Sequence, residues 1–298
     1  MMKENPLQDT GSPSVKSNIV IFLFLLYWLC IPHAVYAVEA AWLTAPMSMR
    51  AYSITMFTVR FVPPILVYLL FCKNRPMAVL SMTPLPLKTV LYIVVITASV
   101  RVIEFLLEFG IPFVFGIAPG PMPQMGSVWT HLLVAVVIAS LYEELLFRGV
   151  LYSEYRRRGV SIAKIALVSG LFFGLVHSGI VSIAASAILG VLWVYLLYYT
   201  RSIWAPILSH AIYNGLWQIH PAFRIETQAE YEAFLPRFVL ILSIAAVIVI
   251  PAMVVCAKRF WAENRREMET PAKESKAFVW SYWALIAAMV VVIVVFRI

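Results

Sequence analysis

Runs of about twenty apolar residues recur along this chain and limit the folds that it can adopt. A helix needs roughly 20 apolar residues to cross the ~30 Å hydrocarbon core of a bilayer. Such runs occupy most of the sequence, and 62% of its residues are hydrophobic whereas only 13% are charged. Soluble domains carry roughly twice that share of charged residues. The sequence therefore predicts an all-α, polytopic bundle of transmembrane helices.

The apolar runs predict about eight to nine spans. Their approximate limits are 19–43, 52–72, 87–109, 128–152, 161–178, 180–200, 202–219, 235–257 and 277–297. The lower number applies if the first run is re-entrant, or if it is removed as a signal peptide near Ala37, where Ala-Val-Tyr-Ala resembles a cleavage site. The polar leader of residues 1–18 is long for a signal peptide, which favours a disordered N-terminal tail and nine spans.

Lysine and arginine are concentrated in alternate loops. With the N-terminus inside, 16 of the 23 basic residues fall in predicted inner segments and four in outer ones. Because cytoplasmic loops carry an excess of these residues, the count predicts an N-terminus inside and a C-terminus outside the cell membrane. The net charge of +8 therefore belongs to loops between spans, and it does not indicate a nucleic-acid partner. The three cysteines lack zinc or redox spacing and are interpreted as free thiols.

The fourth span contains the sequence Tyr142-Glu143-Glu144-Leu145-Leu146-Phe147-Arg148, in which three ionised side chains lie close together. A single charge at the bilayer centre costs roughly 2.5–3.5 kcal/mol, so such residues usually face the protein interior and pair. Glu144 and Arg148 are four apart, which predicts an ion pair on one helix face. Glu143 lies about 100° around the helix and is expected to have no local cationic partner. This difference favours Glu143 as a general base.

Two later spans carry polar residues within motifs of four-residue spacing: His177 after Phe173 in the fifth span, and His210 with Asn214 in the seventh. The depths of Glu143, His177, His210 and Asn214 can be counted at about 1.5 Å per residue from the basic ends of their spans. These four residues lie ~14–24 Å deep. That common depth predicts one site in the outer half of the membrane, assembled across three helices. Taken singly, the residues have structural interpretations. Glu144 and Arg148 would form an ion pair, His177 would be an interfacial or hydrogen-bonded histidine, and His210 with Asn214 would form an interhelical hydrogen bond.

Two further intramembrane patterns accompany these motifs. Gly170 and Gly174 form a Gly-x-x-x-Gly pair in the fifth span, which predicts close packing against a neighbouring helix. Arg101 and Glu104 are three apart in the third span and are predicted to pair. The segment 110–127, which is rich in glycine and proline and lacks charge, predicts an irregular outer loop.

The motifs Glu-Glu-x-x-x-Arg, Phe-x-x-x-His and His-x-x-x-Asn occur in this order within residues 128–220. Together they resemble the motifs of the CPBP family of intramembrane endopeptidases, which includes CAAX prenyl proteases and bacteriocin-processing (Abi) proteins. The resemblance implies a protease core at 128–220. A tail at 1–18, N-terminal helices with an outer loop at 19–127 and C-terminal helices at 221–298 would flank this core.

The resemblance also implies residue roles. Glu143, with His177, would activate a water that attacks a peptide carbonyl. His210 and Asn214 would stabilise the oxyanion, as hydrogen-bond donors aimed at developing charge do elsewhere. The supporting residues would be Glu144, Arg148 and Phe173. The substrate would be a membrane-associated peptide or protein, such as a prenylated CAAX-type protein, a sorting signal or a bacteriocin-like peptide, met within the lipid bilayer.

Three alternatives remain open at the level of sequence. Zinc is possible as a cofactor, since Glu143, His177 and His210 form a plausible ligand set with an open position. The absence of a His-Glu-x-x-His motif favours a glutamic-type mechanism without a cofactor. The same fold is also compatible with a non-catalytic membrane peptide-binding scaffold or a bacteriocin immunity protein. A transporter is disfavoured because the chain does not show two related halves.

Overall fold

The computed structural model describes residues 48–71, 82–116, 132–157, 160–177, 180–218 and 227–264, together with a few isolated positions. These residues are almost entirely helical. Apart from one isolated bridge between Met82 and Ser202, they contain no β-structure. The all-α class expected from the apolar runs is therefore confirmed for the described part of the chain.

Seven continuous helices lie within these ranges. We number them α1 Met49–Phe71, α2 Leu87–Val114, α3 132–157, α4 Ile162–Leu175, α5 Ile180–Thr200, α6 Trp204–Gln218 and α7 Gln228–Asn264. By length and composition, α2, α7 and residues Ser182–Thr200 of α5 are sufficient to cross a membrane, and α4 is a shorter apolar helix. Each of these helices corresponds to one predicted span. The predicted tail and the predicted spans at 19–43 and 277–297 lie outside the described residues, except at isolated positions.

Helices α2 and α3 contain π-helical segments, at Leu106–Gly110 in α2 and at Leu132–Ala139 and Leu145–Leu151 in α3. A π-helix is defined by bonds from an N–H to the carbonyl five residues earlier, which give a wider turn than in an α-helix. The α-helical turn Ser140–Glu144 lies between the two π segments of α3. It carries both glutamates of the first motif. Single π turns in helices are frequent at functional sites.

The prediction of an outer loop at 110–127 is wrong at its start, because α2 continues through Gly110 and Pro112 to Val114. Pro112 has no N–H to donate, but the N–H of the preceding residue, Ile111, still bonds to the carbonyl of Leu107. The π turn just before Pro112 widens the helix where the proline ring would otherwise meet the carbonyl four residues earlier. The next residues end the helix, with Gly116 at φ +65°, a left-handed conformation that glycine adopts without strain.

The described helices divide between two compact units. The first unit contains α1, α3 from Tyr142 onward, α4 and α5. The second unit contains α2, α3 up to Leu141, α6 and α7.

Close packing of α4 on α5 organises the first unit. A Cβ added at Gly170 would lie 2.6 Å from the carbonyl oxygen of Ala187, and one added at Gly174 would lie 2.5 Å from that of Ile183. On α5, a Cβ added at Gly190 would lie 2.7 Å from the Cα of Gly170. Glycine is thus required at these three positions, where the two backbones approach most closely. The close approach expected from the Gly-x-x-x-Gly pair is confirmed.

In the second unit α2 packs against both α6 and α7. Aromatic side chains fill the contact with α7, where the rings of Phe109 and Phe238 meet edge to face at 5.3 Å. The hydroxyl of Ser99 also donates to the carbonyl of Val249 at 3.1 Å. Hydrogen bonds and a buried charge cluster dominate the contact with α6, described below.

Candidate active site

Arg148 is the centre of the first motif. Its guanidinium donates to Glu144 at 3.1 Å, and both side chains are fully buried, which confirms the predicted ion pair. A second nitrogen donates to the carbonyl of Gly190 on α5 at 2.9 Å. The guanidinium carbon also lies 5.0 Å from the ring centre of Phe173 and 5.2 Å from that of Trp193. One side chain therefore joins α3, α4 and α5.

Trp193 and Gly190 were not recognised from the sequence. They lie three apart on α5, and Trp193 packs edge to face on Phe173 at 5.2 Å. Trp193 is 1% exposed, one of the largest fully buried side chains in the described residues. No motif marks these two residues, because their role depends on which face of α5 packs on α4. A cluster of small residues around Gly190 is the only local signal that could have pointed to this face.

Glu143 differs from its neighbour Glu144 in burial and contacts. Glu144 has no exposed surface, whereas Glu143 is only partly buried. The expectation that Glu143 has no local cationic partner is wrong, because Arg148 interacts electrostatically with Glu143 as well as with Glu144. The direct hydrogen bond of Arg148 nevertheless goes to Glu144. Of the two carboxylates, Glu143 is thus the one whose side chain is only partly buried by the protein.

His177 follows the C-terminal end of α4 and is held by the last turn of that helix. Its backbone N–H donates to the carbonyl of Gly174 at 2.9 Å, and its ring Nδ1 lies 2.7 Å from the carbonyl oxygen of Phe173. Because a carbonyl oxygen can only accept, Nδ1 carries the proton in this contact. In the neutral ring Nε2 then holds the lone pair and is a hydrogen-bond acceptor.

Phe173 contributes both its backbone and its ring to the second motif. The carbonyl orients the imidazole, while the ring packs against His177 at 4.8 Å between centres. The ring also meets Phe147 edge to face at 5.3 Å. The four-residue spacing of the motif therefore has a direct structural basis, since the last helical carbonyls of α4 lie next to the residue that follows the helix.

His210 and Asn214 lie on α6, four residues apart, so the prediction that they share a helix face is confirmed. His210 is only 3% exposed. The side-chain amide of Asn214 donates to the carbonyl of Ala135 at 2.9 Å, in the first π segment of α3. The hydroxyl of Ser140 also donates to this carbonyl, at 3.3 Å. Asn214 thus joins α6 to α3 within the second unit.

Glu143 and His177 belong to the first unit, and His210 and Asn214 belong to the second. The site predicted across all four residues stays a prediction. Within either unit, the described residues contain no group of three His, Cys, Asp or Glu side chains close enough to hold a metal ion. The alternative zinc ligands Glu143, His177 and His210 are drawn from both units, so this set also stays a prediction.

Residues 125–216 match the family model described as Rce1-like, type II CAAX prenyl endopeptidase. The matched segment contains all three motifs and nearly coincides with the predicted core at 128–220. No curated protein and no solved structure matches the chain. The family implies a peptide hydrolase, and together with the long apolar helices it indicates an integral membrane protein. The match therefore supports the assignment of residues 125–216 to the CPBP, or CAAX protease, family, which is the family that the three motifs resemble.

Proposed function

We propose that the protein is an intramembrane endopeptidase in which Glu143 and His177 activate the attacking water. The observation that carries this proposal is the contact between the Nδ1 of His177 and the carbonyl of Phe173, 2.7 Å apart. It directs the ring proton to Nδ1, so that Nε2 is the acceptor that a water molecule needs. Glu143, partly buried beside the buried ion pair of Glu144 and Arg148, supplies the carboxylate.

In the proposed reaction, a water donates one hydrogen bond to Glu143 and one to Nε2 of His177. Glu143 removes a proton while the water oxygen attacks the peptide carbonyl carbon, and the carbonyl oxygen becomes an oxyanion. The protonated Glu143 then transfers its proton to the amide nitrogen as the C–N bond breaks. The products are a carboxylic acid and an amine, and the enzyme returns to its starting state.

The roles of His210 and Asn214 rest on the family motif. Each side chain can donate an N–H to the oxyanion, and a single such donor can contribute about 10²–10³-fold to kcat. The amide of Asn214 has two N–H groups. One of them bonds Ala135, and we assign the other to the oxyanion.

The carbonyl contact of His177 is also typical of metal-bound histidines, which usually donate their second ring N–H to a backbone carbonyl or a carboxylate. A zinc mechanism with Glu143, His177 and His210 as ligands is therefore the second candidate. In it the metal would supply an activated water, and the same three side chains would bind the metal instead of acting as base, water acceptor and oxyanion donor. Removal of metal separates the two mechanisms.

The test uses the full-length protein in lipid nanodiscs with fluorogenic peptides. The peptides are a farnesylated C-terminal CAAX sequence, the same sequence without the prenyl group, and an unrelated hydrophobic leader peptide. Glu143→Gln should lower the cleavage rate by about 10²-fold or more. The exposed Glu232→Gln provides a matched change that should leave the rate unaltered. Mass spectrometry of the products locates the cleaved bond.

The possible outcomes distinguish between the glutamic mechanism, the zinc mechanism and the non-catalytic scaffold. A Glu143→Gln variant that cleaves at the wild-type rate contradicts the assignment of the base. A wild-type protein that binds a peptide without cleaving it favours the scaffold. Activity that is lost on dialysis against a chelator and restored by zinc alone favours the metal mechanism, whereas activity that withstands chelation favours the glutamic one.

A further inference from the structure

Helix α2 carries a buried arginine that the proposed mechanism does not use. Arg101 is 5% exposed, and it lies outside the segment 125–216 that matches the family. A cation inside a membrane-spanning helix is costly and is usually retained for a specific pairing. Its contacts therefore indicate what it does.

Arg101, Glu104 and Tyr213 form a closed cluster in which each side chain contacts the other two. Arg101 donates to Glu104 at 2.6 Å, which confirms the predicted pair. Its Nε and a terminal nitrogen both donate to the backbone carbonyl of Tyr213, at 3.2 and 3.0 Å. The guanidinium also stacks on the Tyr213 ring, 3.4 Å from its centre. The Tyr213 hydroxyl completes the cluster by donating to Glu104.

Tyr213 precedes Asn214 and follows His210 by three residues in the third motif, and it lies on the face of α6 that packs on α2. Three successive levels of this face are held by α2. They are Thr97 with Ser209, at 2.7 Å between hydroxyls, Arg101 with Tyr213, and Phe105 with Trp217, at 5.8 Å between ring centres. His210 and Asn214 lie about 100° further around the helix. The contacts with α2, together with the hydrogen bond from Asn214 to α3, therefore fix the direction in which the motif residues face.

We propose that Arg101 and Glu104 are positioning residues that orient His210 and Asn214 through Tyr213. This inference rests on the proposed function of those two residues. A rotation of α6 by about 10° moves an atom ~5–6 Å from the helix axis by about 1 Å. A displacement of 1 Å at a catalytic group can cost about 10²-fold in rate. Loosening the cluster should thus lower kcat, with little effect on the binding of the substrate.

Lysine cannot replace Arg101 in this cluster, although it keeps the charge. The planar guanidinium bonds a carbonyl twice, pairs with a carboxylate and stacks on an aromatic ring at the same time. A lysine ammonium can pair with Glu104, but it cannot make the whole set. Arg101→Lys therefore removes this hydrogen-bond and stacking geometry while it preserves the ion pair with Glu104. Tyr213→Phe removes fewer contacts than Arg101→Lys, because it deletes only the hydroxyl that bonds Glu104.

The experiment compares Arg101→Lys and Tyr213→Phe with the wild type in nanodiscs. The control is Lys88→Met, which breaks an exposed ion pair with Glu263 between α2 and α7 of the same unit. One measurement is kcat and KM for peptide cleavage, corrected for the folded fraction. The other is the NMR spectrum of protein labelled at histidine, with His210 identified by the signal that disappears in His210→Gln.

We expect Arg101→Lys to lower kcat about 10–100-fold with KM within about twofold, and to shift the His210 ring signals. Tyr213→Phe should give the same changes at a smaller size, and Lys88→Met should give neither. Wild-type kcat and unshifted His210 signals in Arg101→Lys would overturn the inference. So would a loss of activity that is fully explained by a smaller folded fraction, because that result indicates a structural role only.

Failure of this inference is distinguishable from failure of the proposed function. If Glu143→Gln abolishes cleavage and Arg101→Lys does not reduce it, only the positioning role is overturned. If the wild type cleaves no peptide, the proposed function is overturned. The His210 signals of Arg101→Lys and Tyr213→Phe then decide by themselves whether the cluster orients α6.

Discussion

Replacing Gly174 with alanine tests the packing of α4 on α5 most directly. The new Cβ would lie 2.5 Å from the carbonyl oxygen of Ile183 and 2.8 Å from the Cβ of Ala187. Ordinary van der Waals contact begins near 3.4 Å. The two helices would have to separate locally by about 1 Å, because the atom met at the shortest distance is backbone and cannot rotate away.

The expected change in the free energy of unfolding follows from two opposing effects. Alanine is favoured over glycine inside a helix by about 1 kcal/mol. Overpacking a tight contact typically costs about 1–3 kcal/mol, and a clash with backbone belongs at the upper end of that range. We therefore expect Gly174→Ala to lower the free energy of unfolding by about 2 kcal/mol.

The free energy of unfolding is measured by denaturant titration of the purified protein in detergent, followed by tryptophan fluorescence. Gly215→Ala is the matched control, since its Cβ would meet only the side chain of Val136, at 3.6 Å. This variant should be neutral or more stable by up to about 1 kcal/mol. If Gly174→Ala is as stable as Gly215→Ala, the backbones of α4 and α5 are further apart than described and the reasoning is refuted.

Two further substitutions test buried polar contacts with the same unfolding assay. Arg148→Met should destabilise the protein by about 3–5 kcal/mol, because it breaks a fully buried ion pair. Adding Glu144→Gln should recover a large part of this loss, because it removes the unpaired buried charge. A double variant that is no more stable than Arg148→Met would contradict this reasoning. Thr97→Val should cost about 1–2 kcal/mol, because the buried hydroxyl of Ser209 loses a hydrogen bond. The combination of Thr97→Val with Ser209→Ala should cost less than the sum of the two single changes, and strict additivity would count against the hydrogen bond.

The contacts that were predictable from the sequence are those between neighbours along one helix. The spacing of Glu144 and Arg148 places them on one face of any regular helix, and the structure pairs them at 3.1 Å. The same holds for Arg101 and Glu104, paired at 2.6 Å. Spacing alone did not predict the further interaction of Arg148 with Glu143. An arginine side chain is long enough to lie near the carboxylates of two adjacent residues of the preceding helical turn.

The C-terminal end of α2 could not be predicted from local sequence preferences. Gly110 and Pro112 favour a loop when each is considered by itself, and the chain nevertheless remains helical to Val114. A π-helical turn just before the proline is compatible with its ring, and packing of Phe109 on Phe238 holds this part of α2 against α7. Tertiary contact thus outweighs the local preference for a turn.

The sequence by itself determined the helical class, the approximate positions of the described helices and the residues that share a face within each of them. These properties follow from apolar run length and from the 3.6-residue period, which depend only on local hydrogen-bond geometry. Only the tertiary structure decided that Arg148 reaches Gly190 and Trp193, and that Arg101 holds Tyr213 between His210 and Asn214. The physical reason is that the packed face of a helix depends on all the side chains that meet there at once, on helices that are distant in sequence.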